Sequence, residues 1–231
     1  MRKLWALVFL LAGCVDQSKL APEVRGEGAF KAYNCQRCHR VGPVGGDTGP
    51  DLTFVGFRKS ADFLALWLKD PAAWEPRTLM PNFQMSERGR LDIAAYLATL
   101  RGAGFSPSEP APWQSAKAQA DPLVKGALLY KHVGCVTCHG REGTGGYANN
   151  NVPGGKIPNL KKVAQTYSRE ELVEKIKIGV RHPAKADAAG PEPHLWMPAW
   201  GEVLSKDEID ALAQTLLSWS KASGENPAEE W

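Results

Sequence analysis

Net charge, methionine and cysteine are all scarce in this chain, and each scarcity narrows what it can do. The 231 residues carry 28 Lys and Arg against 25 Asp and Glu, a formal net charge of +3. Nucleic-acid binding wants a pronounced basic excess, so that class drops out. Long hydrophobic runs are missing too. The apolar stretch near the start, Leu4 to Ala12, is too short to cross a bilayer as a stable helix. Past the initiator, methionine occurs only at Met80, Met85 and Met197. There are five cysteines: Cys14, Cys35, Cys38, Cys135 and Cys138.

Four of those cysteines fall in two copies of one pattern. Cys35-Gln36-Arg37-Cys38-His39 and Cys135-Val136-Thr137-Cys138-His139 lie 100 positions apart. C-x-x-C-H is the attachment signature of c-type haem. Its two thiols add across the porphyrin vinyl groups, and the histidine that follows reaches the iron from the proximal side. A bare C-x-x-C would also suit a redox dithiol or half of a zinc site. Neither of those needs a histidine directly after the second cysteine. Two covalent c-type haems are therefore expected, with no thiol left for a disulfide or a catalytic nucleophile.

The halves around these motifs repeat one another. Gly26 and Phe30 precede Cys35 as Gly126 and Tyr130 precede Cys135, each pair sharing one helix face. A glycine there lowers helix propensity, which predicts close approach by another helix. Pro50-Asp51-Leu52 corresponds to Pro158-Asn159-Leu160, and Leu79-Met80-Pro81 to Trp196-Met197-Pro198. Each half closes with an amphipathic helix, over Ser86 to Leu100 and Ser205 to Ser220. Thr215 stands where the first half has Tyr96, so the second crossing lacks an aromatic there.

This order of elements resembles the class I cytochrome c family, once in each half. The resemblance implies an all-α fold of two tandem domains, each a small helical fold wrapped around one haem. The domains would span residues 23–102 and 121–223, joined by a Pro-rich linker over 103–120. The terminal helices of each domain would cross at Gly26 with the stretch around Tyr96, and at Gly126 with the stretch around Thr215. His39 and His139 would be proximal ligands, each orienting its ring by a hydrogen bond to the carbonyl of Pro50 or Pro158. Met80 and Met197 would be distal sulfur ligands, an axial pair that raises the reduction potential relative to bis-histidine. Met85 is the rival to Met80. His194 and His182 are the alternatives to Met197. His132, on the helix leading to the second motif, is expected to face solvent in a structural role. Trp67, Trp74, Trp196 and Trp200 are expected near haem edges.

Arg2 and Lys3 before the apolar run make the first 13 residues a secretory signal. Its ending, Leu11-Ala12-Gly13-Cys14, resembles a bacterial lipobox, with Cys14 carrying lipid after cleavage. Residues 14–22 would be a polar spacer, and 224–231 a poorly ordered tail. Removing Arg2 and Lys3 lowers the formal charge from +3 to +1. Covalent haem attachment also takes place outside the cytoplasm. The expected location is thus the periplasmic side, membrane-anchored, with Val15 after Cys14 leaning toward the outer membrane.

The function expected is transfer of single electrons between extracytoplasmic redox proteins. Partners would include a quinol-oxidising complex, a terminal oxidase or a dehydrogenase, with this chain as a shuttle or a subunit. The alternative is a haem enzyme such as a dihaem peroxidase or a thiosulfate-oxidising cytochrome. Those need an open iron position or an unusual ligand such as Cys, which two Met-Pro segments and no spare cysteine do not favour. The second half holds longer segments, Gly140 to Lys156 and Pro183 to Pro193, between its histidine and its methionine. The first of these is rich in Gly and Asn and reads as an irregular loop.

Overall fold

The computed structural model describes residues 19–224. Residues 1–18 and those after Gly224 lie outside them, so the expectations for a signal segment, for lipidation at Cys14 and for the tail fall outside the described residues. The described chain is mostly helical. No described helix is long and apolar enough to cross a membrane.

Helix α1 (Pro22–Ala32) opens with proline at its first turn, where no N–H is needed. It leads to the first motif and packs mainly on α5 (Glu87–Thr99). Between them lie a two-stranded antiparallel ribbon, β1 (Arg40–Val41) with β2 (Val44–Gly45), and three short helices. These are α2 (Val55–Arg58), α3 (Ala61–Lys69) and α4 (Pro71–Trp74). The hydroxyls of Ser60 and Ser86 accept from the third-residue N–H of α3 and α5, which fixes where each helix starts. The second half repeats the pairing. Helix α7 (Pro122–Leu129) packs on α11 (Lys206–Gly224), with α8 (Val136–His139), α9 (Val163–Thr166) and α10 (Arg169–Ile178) between them. Reciprocal Ser–Glu capping boxes start α10 (Ser168, Glu171) and α11 (Ser205, Glu208).

The glycine-mediated crossings are close. A Cβ placed on Gly26 would sit 1.9 Å from the Asp92 carbonyl oxygen and 2.9 Å from Tyr96 Cβ. On Gly126 it would sit 2.2 Å from the Ala211 carbonyl oxygen and 2.1 Å from Thr215 Oγ1. In the first half Phe30 packs on Tyr96 at 5.4 Å between ring centroids. In the second, the aromatic missing at Thr215 is supplied one turn later. Trp219 meets Tyr130 edge-on at 4.9 Å, while Thr215 Oγ1 donates to the Leu123 carbonyl.

The two apolar cores are unequal. One is built from Phe30, Val55, Leu64, Leu68, Ile93 and Leu97, all of the first half. The other gathers Leu129, Val133, Leu172, Ile176, Leu212 and Leu216, and also takes in Phe54 and Phe57 from the first half. Trp200 lies between these phenylalanines, at 6.3 Å and 5.3 Å. Aromatic pairs of this kind contribute about 0.5–1.5 kcal/mol each beyond the area they bury. The halves are thus packed together through a shared core.

The segment 103–120 is part of that core. Trp113 is buried against Phe54 and Phe105, and its indole N–H donates to Glu208 at 2.6 Å. Its last residues form a helix of their own, α6 (Ala116–Ala120), capped by Ser115. His132 corrects the expectation that it faces solvent. It is buried, and its Nδ1 lies 3.0 Å from Asp51 Oδ2 in the other half. A buried imidazole needs a polar partner, and here that partner comes from a residue 81 positions away.

Candidate functional site

Each C-x-x-C-H segment follows its helix through a residue of left-handed backbone conformation: Asn34 at φ 55° and Gly134 at φ 97°. Asparagine and glycine are the residues that tolerate this region best. The approaches otherwise differ. Cys35–Arg37 is a tight 3₁₀ turn, whereas Tyr130–Gly134 forms a π-helical turn that runs into α8.

His39 Nδ1 lies 2.8 Å from the Pro50 carbonyl oxygen, and His139 Nδ1 lies 3.2 Å from that of Pro158. A carbonyl only accepts, so each ring carries its proton on Nδ1 and leaves Nε2 as a lone-pair donor. Burial pushes both imidazoles below their usual pKa, against the raising effect of the carbonyl bond. Both are therefore neutral at neutral pH, the form that binds a metal. Cys35, Cys38, Cys135 and Cys138 form no disulfide. Burial raises the Cys35 thiol and pushes Cys135 up to about 12. A redox dithiol needs a lowered thiol pKa, so that reading fits poorly. Among the described residues no three or more of His, Cys, Asp and Glu converge as a metal-binding group, which also disfavours zinc.

Cys35 packs on the first core together with Met80 and Met85. Cys135 packs on the second together with Met197. Three neighbours hold the Met80 loop. The Trp67 indole N–H donates to Met80 Sδ at 3.1 Å, Thr78 Oγ1 accepts from the Met80 N–H, and Asn82 Nδ2 donates to the Lys69 carbonyl. A thioether sulfur has two lone pairs, so the indole bond leaves one for a metal. Met197 is held differently. Its N–H and C=O both pair with Val180 in an isolated antiparallel bridge. Gly179, at φ 68°, lets that backbone come close, since a Cβ there would lie 2.3 Å from the Pro198 carbonyl oxygen.

Of the histidine alternatives, His182 is exposed. His194 packs edge-on against Trp74 of the first half at 5.3 Å and near Phe63. The loop carrying His194 and Met197 is fastened by three consecutive asparagines. Asn149 exchanges two hydrogen bonds with the backbone of Leu195. Asn150 bonds the Glu192 carbonyl and the His194 N–H. Asn151 bonds the backbone of Asp187 and Pro191. Sequence reading marked these residues only as loop-formers. Three adjacent side-chain amides, each able to donate and accept, were the available signal for a clamp.

The four tryptophans are dispersed. Trp67 reaches Met80, Trp74 meets His194 edge-on, Trp200 lies in the shared core and Trp196 is half-buried beside Met197.

Residues 123–220 match the Cytochrome c family model. That match supports a cytochrome c family, and with it a covalently bound c-type haem and electron transfer. Among solved structures, the chain is similar to one of the reducing HAO-like protein complex of Kuenenia stuttgartiensis. The identity is 15%, with 84% of this chain and 95% of that chain covered, at a TM-score of 0.30. No curated protein matches.

Proposed function

We propose that the chain is a tandem dihaem cytochrome c, lipid-anchored through Cys14 outside the cytoplasm, which carries single electrons between respiratory proteins. One observation supports this reading above the rest. Both halves tie the histidine of C-x-x-C-H to a proline carbonyl, leaving one ring nitrogen free, although only residues 123–220 match the family model.

The residues fit two haems. Cys35 and Cys38 would tether one group and Cys135 and Cys138 the other, with His39 and His139 as proximal ligands. Met80 would be the distal ligand of the first half, since Trp67 orients its sulfur and Met85 has no such bond among those described. In the second half, His194 packs on Trp74 while the Met197 backbone is clipped to Val180, which favours Met197. The group supplies a ferrous–ferric couple. The chain would supply the ligands named above, its proline carbonyls orient the two imidazoles, and the shared core holds the halves together. With Met80 and Met197 as ligands, neither centre would keep a position open to substrate, and the chain would act as a carrier and not as an enzyme. The shared core would hold the two centres at a fixed separation for exchange between them.

The test is a haem count by mass spectrometry with a ferric near-infrared spectrum of the mature protein. Two porphyrins and two sulfur-to-iron charge-transfer bands are expected. Fewer than two porphyrins, or prompt cyanide or carbon monoxide binding at either centre, would overturn the reading.

A further inference from the structure

The contact between the halves contains an arginine where a neutral residue would be expected. Arg58, the last residue of α2, is 4% exposed, yet it belongs to the first half and ends beside the second motif. Its Nη1 donates to Thr137 Oγ1 at 2.6 Å, between Cys135 and Cys138, and that hydroxyl donates to the Gly134 carbonyl. Its Nη2 donates to the Asp51 carbonyl at 3.2 Å. Both bonds end on neutral oxygens, and its buried Nε has no hydrogen-bond partner. The Asp51 carboxylate is directed elsewhere, to Thr53 and to His132. Next along the chain, Lys59 places its ammonium over the Phe63 ring at 4.3 Å.

Gly134 makes room for this guanidinium. A Cβ there would lie 2.4 to 2.8 Å from three of its atoms. The corresponding residue of the first motif, Asn34, is exposed, and among the described residues Arg58 is the one buried lysine or arginine. The arrangement is therefore one-sided: a buried, incompletely satisfied positive charge against the second attachment segment only. Such a charge is costly to bury without an anion, and arginine stays protonated in proteins. Packing alone does not account for its presence.

We infer that Arg58 is a positioning and electrostatic residue that raises the reduction potential of the second haem above the value its ligands alone would set. The inference rests on the dihaem reading. A ferric centre carries one more positive charge than a ferrous one, so a nearby buried cation disfavours oxidation. Net charge and burial are among the levers a protein has on haem potential. The link also makes the second centre's potential depend on the first half being docked, because the cation is supplied from there.

The test is spectroelectrochemistry of the full holoprotein, comparing wild type with Arg58→Gln and Arg58→Lys. The two midpoints are assigned in a Met80→His background, which lowers only the first. Arg58→Gln should lower the second midpoint and leave the first in place. At a fixed applied potential the ferrous-to-ferric ratio of the second centre should fall on the order of tenfold, the effect of a unit charge roughly 10 Å away at an effective dielectric constant of about 20. Arg58→Lys should recover most of that fall, and high salt should not abolish the difference, because buried charges are poorly screened. Denaturation midpoints are measured on the same samples. A second midpoint that does not move in Arg58→Gln, or equal shifts of both midpoints, overturns the inference while leaving the dihaem reading intact. A wild-type protein with fewer than two haems overturns both.

Discussion

Substituting alanine at Gly26 and, separately, at Gly28 tests how the first half is held together. The two glycines lie in the same helix, two residues apart, and differ only in what they face. A Cβ on Gly26 would stand 1.9 Å from a carbonyl oxygen of α5, and ordinary van der Waals contact starts at 3.4 Å. The helices must therefore part by about 1.5 Å, because the atom met is backbone and cannot rotate away. That displacement falls on the seam where Phe30 packs on Tyr96 and where Arg25 makes a bidentate pair with Asp92 at 2.8 and 2.5 Å. Overpacking of a dense core costs about 1–3 kcal/mol, sometimes more. Relief of glycine's poor helix propensity returns about 1 kcal/mol. Backbone collision and a disturbed ion pair place Gly26→Ala toward the upper end, at about 2 kcal/mol net destabilisation. Gly28 has nothing within 4 Å of its would-be Cβ, so Gly28→Ala should stabilise by about 0.5–1 kcal/mol. Urea unfolding of the holoprotein, followed by helical circular dichroism, should separate the variants by about 3 kcal/mol. At this chain length that is several degrees in Tm. Gly26→Ala as stable as wild type, or Gly28→Ala the worse of the two, would refute the crossing geometry.

Asn149→Ala removes both bonds that hold Leu195, two residues before Met197, from a side chain only 4% exposed. It should destabilise by about 2 kcal/mol and speed displacement of the Met197 sulfur by added imidazole, measured in the near-infrared, with the Met80 band unchanged. Met80→Ala should abolish one sulfur-to-iron band and Met85→Ala none; the reverse pattern would exchange their roles. Burial pushes Lys59 down to about 8 from its ordinary 10.5. Through that window the native state has released a proton that the unfolded chain still binds, so stability from this group rises as pH increases from about 8 to 10.5. Below it both states are protonated and the burial penalty is fully present. Lys59→Met should flatten the rise in urea midpoint between pH 8 and 10; an unchanged slope would show Lys59 to be solvated.

The parts of this molecule that sequence spacing made legible are those encoded within a few turns of chain. Gly26 and Phe30 share a helix face at a spacing of four, as do Gly126 and Tyr130. Ser86 and Ser205, where the two closing helices are expected to begin, each accept from the third-residue N–H of their helix. The attachment motif is five residues long. The glycine/aromatic pair and the attachment motif each recur 100 positions later, so one half checks the other. The contact between halves has no such interval. Asp51 and His132 meet across 81 positions, Arg58 and Thr137 across 79, and Trp113 and Glu208 across 95. Single polar pairs at that separation leave no periodic trace. His132 therefore reads as solvent-facing on its helix, and 103–120 as a Pro-rich linker in which only Phe105 and Trp113 argue against a free tether.

The same long-range contacts change what the repeat means. Two copies of a small helical unit joined by a free tether would be independent, and a substitution in one would leave the other untouched. Here Phe54 and Phe57 complete the apolar interior of the second half, and Trp113 from the intervening segment is sealed beneath them. Small domains bury too little surface to be robust alone, so each gains from sharing a core with its neighbour. Loosening α2 should then weaken the second half as much as the first. Phe57→Ala, which leaves a cavity beside Trp200, should cost about 3–5 kcal/mol and lower the unfolding transitions of both halves together. Monitored at the Soret bands of the separately assigned centres, a single shared transition is expected. Two transitions, with only one displaced, would mean that the halves fold and fail independently.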